Sequence, residues 1–98
     1  MCLRNLCLFA LASFAAQAQR DAWTEAMSQG RSLQNQGRFS EAADLFQNAL
    51  REAERPPRSP ARQAAALYQL ATVNADLGSV EKAARHAQRA ASILTKNV

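Results

Sequence analysis

The fold is decided by a short stretch, Gly37-Arg38-Phe39-Ser40-Glu41-Ala42, and by a second stretch that matches it, Gly78-Ser79-Val80-Glu81-Lys82-Ala83. The two glycines are 41 residues apart (78 minus 37). Each glycine can adopt the left-handed conformation that ends a helix, and each stretch then begins a new helix with an acidic residue in its first turn. Two copies of a helix–turn–helix unit indicate a solenoid of helical repeats.

Small and apolar residues keep this spacing on both sides of the two turns. The corresponding pairs are Ala26 and Leu67, Gly30 and Ala71, Phe46 and Ala87, and Ala49 and Ala90. Apolar residues also recur at intervals of three and four within each copy, which is the period of a helix with one buried face. Aromatic residues make up 6% of the chain, and alanine is abundant, so the composition favours an all-α fold over a sheet.

Four helices are predicted, two in each copy. The first begins near Asp21, a good N-cap, and runs to about Asn35. The second is predicted to be capped by Ser40 and to fray before Pro56-Pro57, which cannot continue a helix.

The second pair of helices has equally clear signals. Ser59-Pro60 combines a capping serine with a proline in the first helical turn, and this third helix should run to about Asp76. Gly78 ends it, and Ser79 begins a fourth helix that continues almost to the end of the chain.

The first eighteen residues are predicted to be a secretory signal peptide. Arg4 precedes an apolar run at 6–16, and Ala16-Gln17-Ala18 follows as a small-x-small cleavage site, so we expect cleavage between Ala18 and Gln19. The run is too short to cross a bilayer, and Cys7 lacks the preceding small residue of a lipoprotein. The alternative is an apolar helix packed on the domain. The sequence therefore predicts an exported protein, periplasmic or secreted, without stable membrane insertion after cleavage.

Charged residues are spread along the helices. The formal net charge is +4, and +3 remains after the leader (11 basic minus 8 acidic residues). Interspersed charges indicate a solvated surface, and no nucleic-acid partner is predicted. An alternative is binding to an anionic lipid or an acidic peptide through a local excess of arginine, namely Arg51, Arg55, Arg58 and Arg62.

No catalytic or metal-binding pattern is found in the sequence. Both cysteines lie in the leader, and the single histidine, His86, has Lys82 and Arg89 as its helical neighbours, which are poor metal ligands. There is no glycine-rich phosphate loop and no pattern for a catalytic triad. We therefore predict no enzyme activity and no cofactor. Trp23 is predicted to pack under the first helix, and the alternative is an exposed anchor for a partner.

The repeated segments resemble tetratricopeptide repeats. Gly30 and Ala71 match that family's small contact position on the first helix of each repeat, and Phe46 matches a large position on the second. The run 66–71, Ala-Leu-Tyr-Gln-Leu-Ala, leading to Asp76-Leu77-Gly78, is especially typical. The resemblance implies a right-handed α-solenoid of two antiparallel helix pairs. It places a first repeat at about 22–55, a linker at about 55–61 and a second repeat at about 62–96 of a domain spanning 19–98.

The match has departures in the second repeat. The spacing of 41 exceeds the usual 34 and is similar to the kinesin-light-chain style of these repeats, which bacteria also use. Asn74, Val80 and Ala87 stand where larger residues are usual. The second pair should therefore expose an apolar flank, and such flanks often mark contacts with other proteins.

The resemblance implies a role in protein–protein interaction, as an exported adaptor that binds a peptide or partner protein through a concave groove or through the open flank. The implied groove residues are Thr24, Met27, Arg31, Gln34, Tyr68, Thr72, Ala75 and Asp76. Met27 and Tyr68 would make apolar contacts, and Arg31 would pair with an acid of the ligand. The alternatives are a unit that self-associates, including a homodimer through the open flank, and a fragment of a longer array without its own ligand.

Overall fold

The computed structural model describes residues 21–97, and four helices account for most of them. They are α1 (Ala22–Asn35), α2 (Phe39–Glu54), α3 (Pro60–Asp76) and α4 (Val80–Lys96). Each helix packs on the next along the chain, and α1 also touches α3. The all-α fold with two helix pairs is therefore confirmed, whereas the predicted signal peptide lies outside the described residues.

Helix ends follow the local signals in most places. Asp21 accepts a hydrogen bond from the backbone N–H of Thr24 at 2.8 Å and so caps α1. Ser59 accepts one from the N–H of Arg62 at 3.3 Å, and Pro60 is the first residue of α3. Gly37 and Gly78 have φ angles of 77° and 81°, the left-handed conformation that reverses the chain after α1 and α3.

The prediction that Ser40 caps the second helix is wrong. α2 begins at Phe39, and Arg38 occupies the N-cap position with its guanidinium 2.7 Å from Glu41. After the turn at Gly37, the N–H of Arg38 donates to the carbonyl of Leu33 at 2.9 Å, so the chain is already placed to begin the helix. The helix therefore begins two residues after the glycine, and α4 likewise begins at Val80 after Gly78.

The core lies between α1, α2 and α3 and extends to one side of α4. The largest fully buried side chains are Phe46, Leu67, Leu70 and Val73. Asn74, which stands at a position usually held by a larger residue, is also buried, and its amide donates to the Leu70 carbonyl at 2.7 Å. This hydrogen bond compensates for burying a polar group.

Gly30 allows α1 and α2 to approach closely. A Cβ atom built on Gly30 would lie 2.5 Å from Cε1 of Phe46 and 2.8 Å from Cδ1, well inside van der Waals contact. Phe46 itself has no exposed surface. The phenyl ring therefore fills the space that a side chain at position 30 would need.

Candidate functional site

A groove runs between α1, α3 and α4, and two of its walls come from the first helix of each pair. α1 contributes Trp23, Met27 and Arg31. α3 contributes Ala61 and Ala65 near its start and Tyr68 one turn further along. Because most of these side chains are small or apolar, the groove surface is apolar, with the Arg31 guanidinium as its cation.

The remaining wall of the groove comes from α4. Its members are Ala87, Ala90, Ala91 and Leu94. Ala90 is buried, whereas Leu94 keeps 52% of its surface exposed. The predicted groove and the predicted open flank are therefore parts of one continuous surface.

Three of the residues implied by the family resemblance line this groove: Met27, Arg31 and Tyr68. The other five are not among its lining residues, namely Thr24, Gln34, Thr72, Ala75 and Asp76. Gln34 Nε2 instead donates to Asp76 Oδ2 at 3.3 Å, which ties α1 to α3 where the two helices end. The hydroxyl of Thr72 donates to the carbonyl of Tyr68 at 3.0 Å.

Met27 and Tyr68 occupy corresponding positions 41 residues apart, yet their environments differ sharply. Met27 keeps 2% of its surface exposed and Tyr68 keeps 64%. Met27 is buried within the folded chain, whereas the corresponding side chain on α3 is open to solvent. Tyr68 is therefore the aromatic side chain that a partner could cover in the groove.

The α4 wall was missed as part of the groove, although the sequence contained a signal for it. Ala87, Ala91 and Leu94 correspond to Phe46, Leu50 and Ala53 at the spacing of 41. These three residues of α2 are all buried, because α2 has a neighbouring helix on both sides. On α4, the residues at the corresponding positions line the groove instead.

Next to the groove, side-chain contacts join the starts of α1 and α3. The Arg62 guanidinium lies 4.6 Å from the centroid of the Trp23 ring, a cation–π distance, and its Nη1 lies 2.6 Å from Asp21 Oδ2. Trp23 is half-buried and packs against the core. Its indole Nε1 is buried and has no hydrogen-bond partner within residues 21–97.

Asp21 should make the stability of the protein depend on pH in the acid range. Hydrogen bonds from Thr24, and then the contact with Arg62, lower the pKa of this carboxyl from 3.8 to about 2. Since the pKa is lower in the folded than in the unfolded chain, the carboxylate contributes its full stabilisation above about pH 4, and this is lost as the pH falls towards 2. We expect D21N to flatten the fall of the thermal midpoint between about pH 4 and pH 2 in circular-dichroism melts.

Asp44 provides the matched control for this measurement. It is an exposed aspartate of α2 with neither a hydrogen bond nor an ion pair among the contacts of residues 21–97. D44N should keep the wild-type fall of the thermal midpoint. A D21N profile as steep as that of the wild-type protein would show that the contacts of Asp21 do not stabilise the fold.

Three of the four arginines considered for an anionic surface have partners within residues 21–97. Arg62 pairs with Asp21, and Arg55 lies 3.6 Å from Glu52. Arg51 donates to the side chain of Asn48. Because neighbouring carboxylates offset part of this positive charge, the geometry gives little support to binding of an anionic surface.

The remaining candidates for chemistry lie apart from the groove. His86 is partly buried; burial lowers its pKa, and so do the charges of Arg85, Arg89 and Lys82. Within residues 21–97 there is no group of three or more His, Cys, Asp or Glu placed to hold a metal ion. In the same part of the chain, none of the helices has the length and apolar character needed to cross a membrane.

Comparison with known proteins gives one match. The model of the family described as Tetratricopeptide repeat matches residues 27–97, which include most of α1 and the other three helices in full. Neither a curated protein nor a solved structure matches the chain.

Proposed function

The chain belongs to the tetratricopeptide-repeat family, whose repeats are in general non-catalytic protein-interaction modules, and from that membership we propose that it holds a helical segment of a partner protein in its groove. The observation that carries this proposal is the open apolar surface formed by Tyr68 of α3 and Leu94 of α4, both more than half exposed. Exposed apolar surfaces of this kind mark sites of protein contact.

A helix is the form of ligand that best fits the groove. On α2, the face that corresponds to the α4 wall is buried between its two neighbours, with Phe46 against Gly30 of α1 and with α3, a helix of 17 residues, packed on α2 as well. A partner helix lying on α4 in the same way would cover Tyr68 and Leu94. Arg31 is exposed at the groove and has no ion pair within residues 21–97, so it is available to an acidic side chain of the partner.

We also propose that the protein works outside the cytoplasm as an exported adaptor, periplasmic or secreted. The support is the leader, in which the apolar run at 6–16 precedes Ala16-Gln17-Ala18. The mass of the protein isolated from the exported fraction should correspond to a chain that begins at Gln19. An isolated protein that still carries Met1 and remains in the cytoplasm would contradict this part of the proposal.

Site-specific photo-crosslinking tests the groove. With p-benzoylphenylalanine in place of Tyr68, we expect an adduct with a polypeptide in the producing cells, because this side chain lines the groove and is exposed. The control has the same amino acid in place of Asp44, an exposed residue of α2 that does not line the groove. Adding L94E to the first variant should remove the adduct, since a charge would then face the apolar ligand.

The mass of the adduct distinguishes the partner from the alternatives. An adduct with a different protein supports the adaptor, and an adduct of two copies supports the self-associating unit. If position 68 gives no adduct, or gives the same products as position 44, the proposal that the groove binds a protein is wrong.

A further inference from the structure

The open face of α4 has the residue spacing of a coiled-coil seam. Five residues, none of them charged, follow one another at intervals of four, three, four and three: Val80, Ala84, Ala87, Ala91 and Leu94. This is the spacing of alternating d and a positions in a heptad repeat. On a helix they fall within an arc of about 80°. All five are exposed to solvent, and Val80 has 71% of its surface exposed.

The charged residues of α4 lie outside this seam. They are Glu81, Lys82, Arg85, Arg89 and Lys96. With 3.6 residues per turn, their positions centre on the opposite side of the helix. α4 is therefore a mostly basic helix with one uncharged face. Ala87, Ala91 and Leu94 of that face line the groove, whereas the buried residue of α4, Ala90, lies outside the seam.

A second copy is the occupant that the seam fits. If copies stacked head to tail, α1 of the second copy would pack on α4 as α3 packs on α2. The buried residues Ala66, Leu70 and Val73 of α3 would then be replaced by the residues 41 positions earlier, namely Glu25, Gln29 and Ser32. A polar face would meet an apolar seam, so stacking is disfavoured. The arrangement that remains for two copies is isologous, with the same face on both chains.

The order of residue sizes along the seam suits an antiparallel pair. In an antiparallel pair with its two-fold axis at Ala87, Val80 lies opposite the partner's Leu94, and the alanines of the seam lie between them. The bulky residues then meet at the two ends, and the alanines allow the helix backbones to approach closely in the middle. Gln88 beside the seam faces the partner's Gln88, so no like charges meet there.

We propose that two copies of this chain pair through antiparallel α4 helices, with the two-fold axis passing near Ala87. This inference rests on the proposed function, because it names the occupant of the same groove. An antiparallel pair about this axis also places both α3 helices on the same side of the seam, where the partner can cover Tyr68. The seam is short compared with a standard interface, so we expect a dissociation constant on the order of micromolar.

Charge-swap variants at the two-fold axis test the pairing, with protein purified after expression of the full chain. Sedimentation equilibrium should show that the wild-type protein passes from monomer to dimer over concentrations around micromolar. A87E should stay monomeric, because two carboxylates would face each other at the axis. A87K should stay monomeric as well, because two ammonium groups would meet there. An equal mixture of A87E and A87K should form a mixed dimer, since opposite charges would then meet at the axis.

S92E is the matched control, because Ser92 is an exposed residue of α4 outside the seam. It adds the same charge to the same helix and should dimerise as the wild-type protein does. Circular-dichroism melts of the dilute monomers should give the same helix content for all variants, since position 87 is exposed within each chain. Restoration of the dimer in the mixture is specific to an arrangement in which position 87 meets itself.

Three results would overturn the inference. They are a wild-type protein that stays monomeric up to about millimolar concentration, a dimer that survives in A87E, and a dimer that S92E disrupts as strongly as A87E does. The proposed function has a separate readout. If the protein stays monomeric while position 68 crosslinks to a different protein, the pairing is wrong and the adaptor remains. If the chain neither dimerises nor crosslinks, both are wrong.

Discussion

Replacing Phe46 with alanine is expected to destabilise the protein by about 3–5 kcal/mol. Its ring is fully buried and lies against Gly30, so no neighbouring side chain at position 30 can move into the space that the substitution leaves. A domain with about eighty residues has a small core and a stability near the lower end of the usual 5–15 kcal/mol. F46A should therefore keep only a small part of this stability, and its unfolding midpoint in urea, followed by circular dichroism, should fall to a much lower concentration than that of the wild-type protein.

Phe39 supplies the control for this prediction. It is the first residue of α2, and it is only partly buried against the core. F39A removes the same ring from a position that solvent already reaches, so its free energy of unfolding should fall by clearly less than that of F46A. If F46A and F39A lose the same free energy of unfolding, the burial of Phe46 against Gly30 does not contribute more to stability than the partly exposed contact of Phe39.

Replacing Gly30 with alanine should destabilise the protein, although the change favours a helix in general. Alanine is preferred over glycine in a helix interior by about 1 kcal/mol. Here the new methyl group would lie 2.5 Å from Cε1 of Phe46, so the ring or the helix must move. Overpacking of this kind costs about 1–3 kcal/mol, and we expect a net loss in urea unfolding.

A second substitution shows whether the clash is the cause. In G30A/F46L the smaller side chain leaves room for the methyl group, so the double variant should lose less stability than the sum of the two single variants. S32A changes an exposed residue of the same helix and should be neutral or slightly stabilising. Additive losses, or a G30A protein more stable than the wild type, would contradict the steric explanation.

The helices could be predicted from the sequence because their signals are local. Asp21, Ser59-Pro60 and the two glycines act through their own backbone conformations and through neighbours within a few residues. The cap at Ser40 was predicted wrongly because two local signals competed there. The hydrogen bond from Arg38 to Leu33 begins the helix before the serine can cap it.

The groove was predicted only in part, because its surface depends on which helix has no neighbour on one face among residues 21–97. The family resemblance placed the groove on α1 and α3, where Met27, Arg31 and Tyr68 are found. The resemblance gave no reason to include α4 among the groove walls, because in longer arrays the next repeat covers this helix. The pairing of Arg62 with Asp21 joins residues from two helices, so it depends on how those helices pack and on the side-chain conformations, which sequence spacing does not contain.

The two ends of the repeat array differ in chemistry, and this gives its lengthening a direction. A helix pair inserted after Lys96 would meet an apolar surface ready to receive it, whereas a pair inserted before Ala22 would meet Glu25 and Gln29. Gene duplication or protein design can thus extend the array at one end without changing an existing residue. Because the added helices would cover the seam of α4, a single insertion would remove the contact proposed for the dimer.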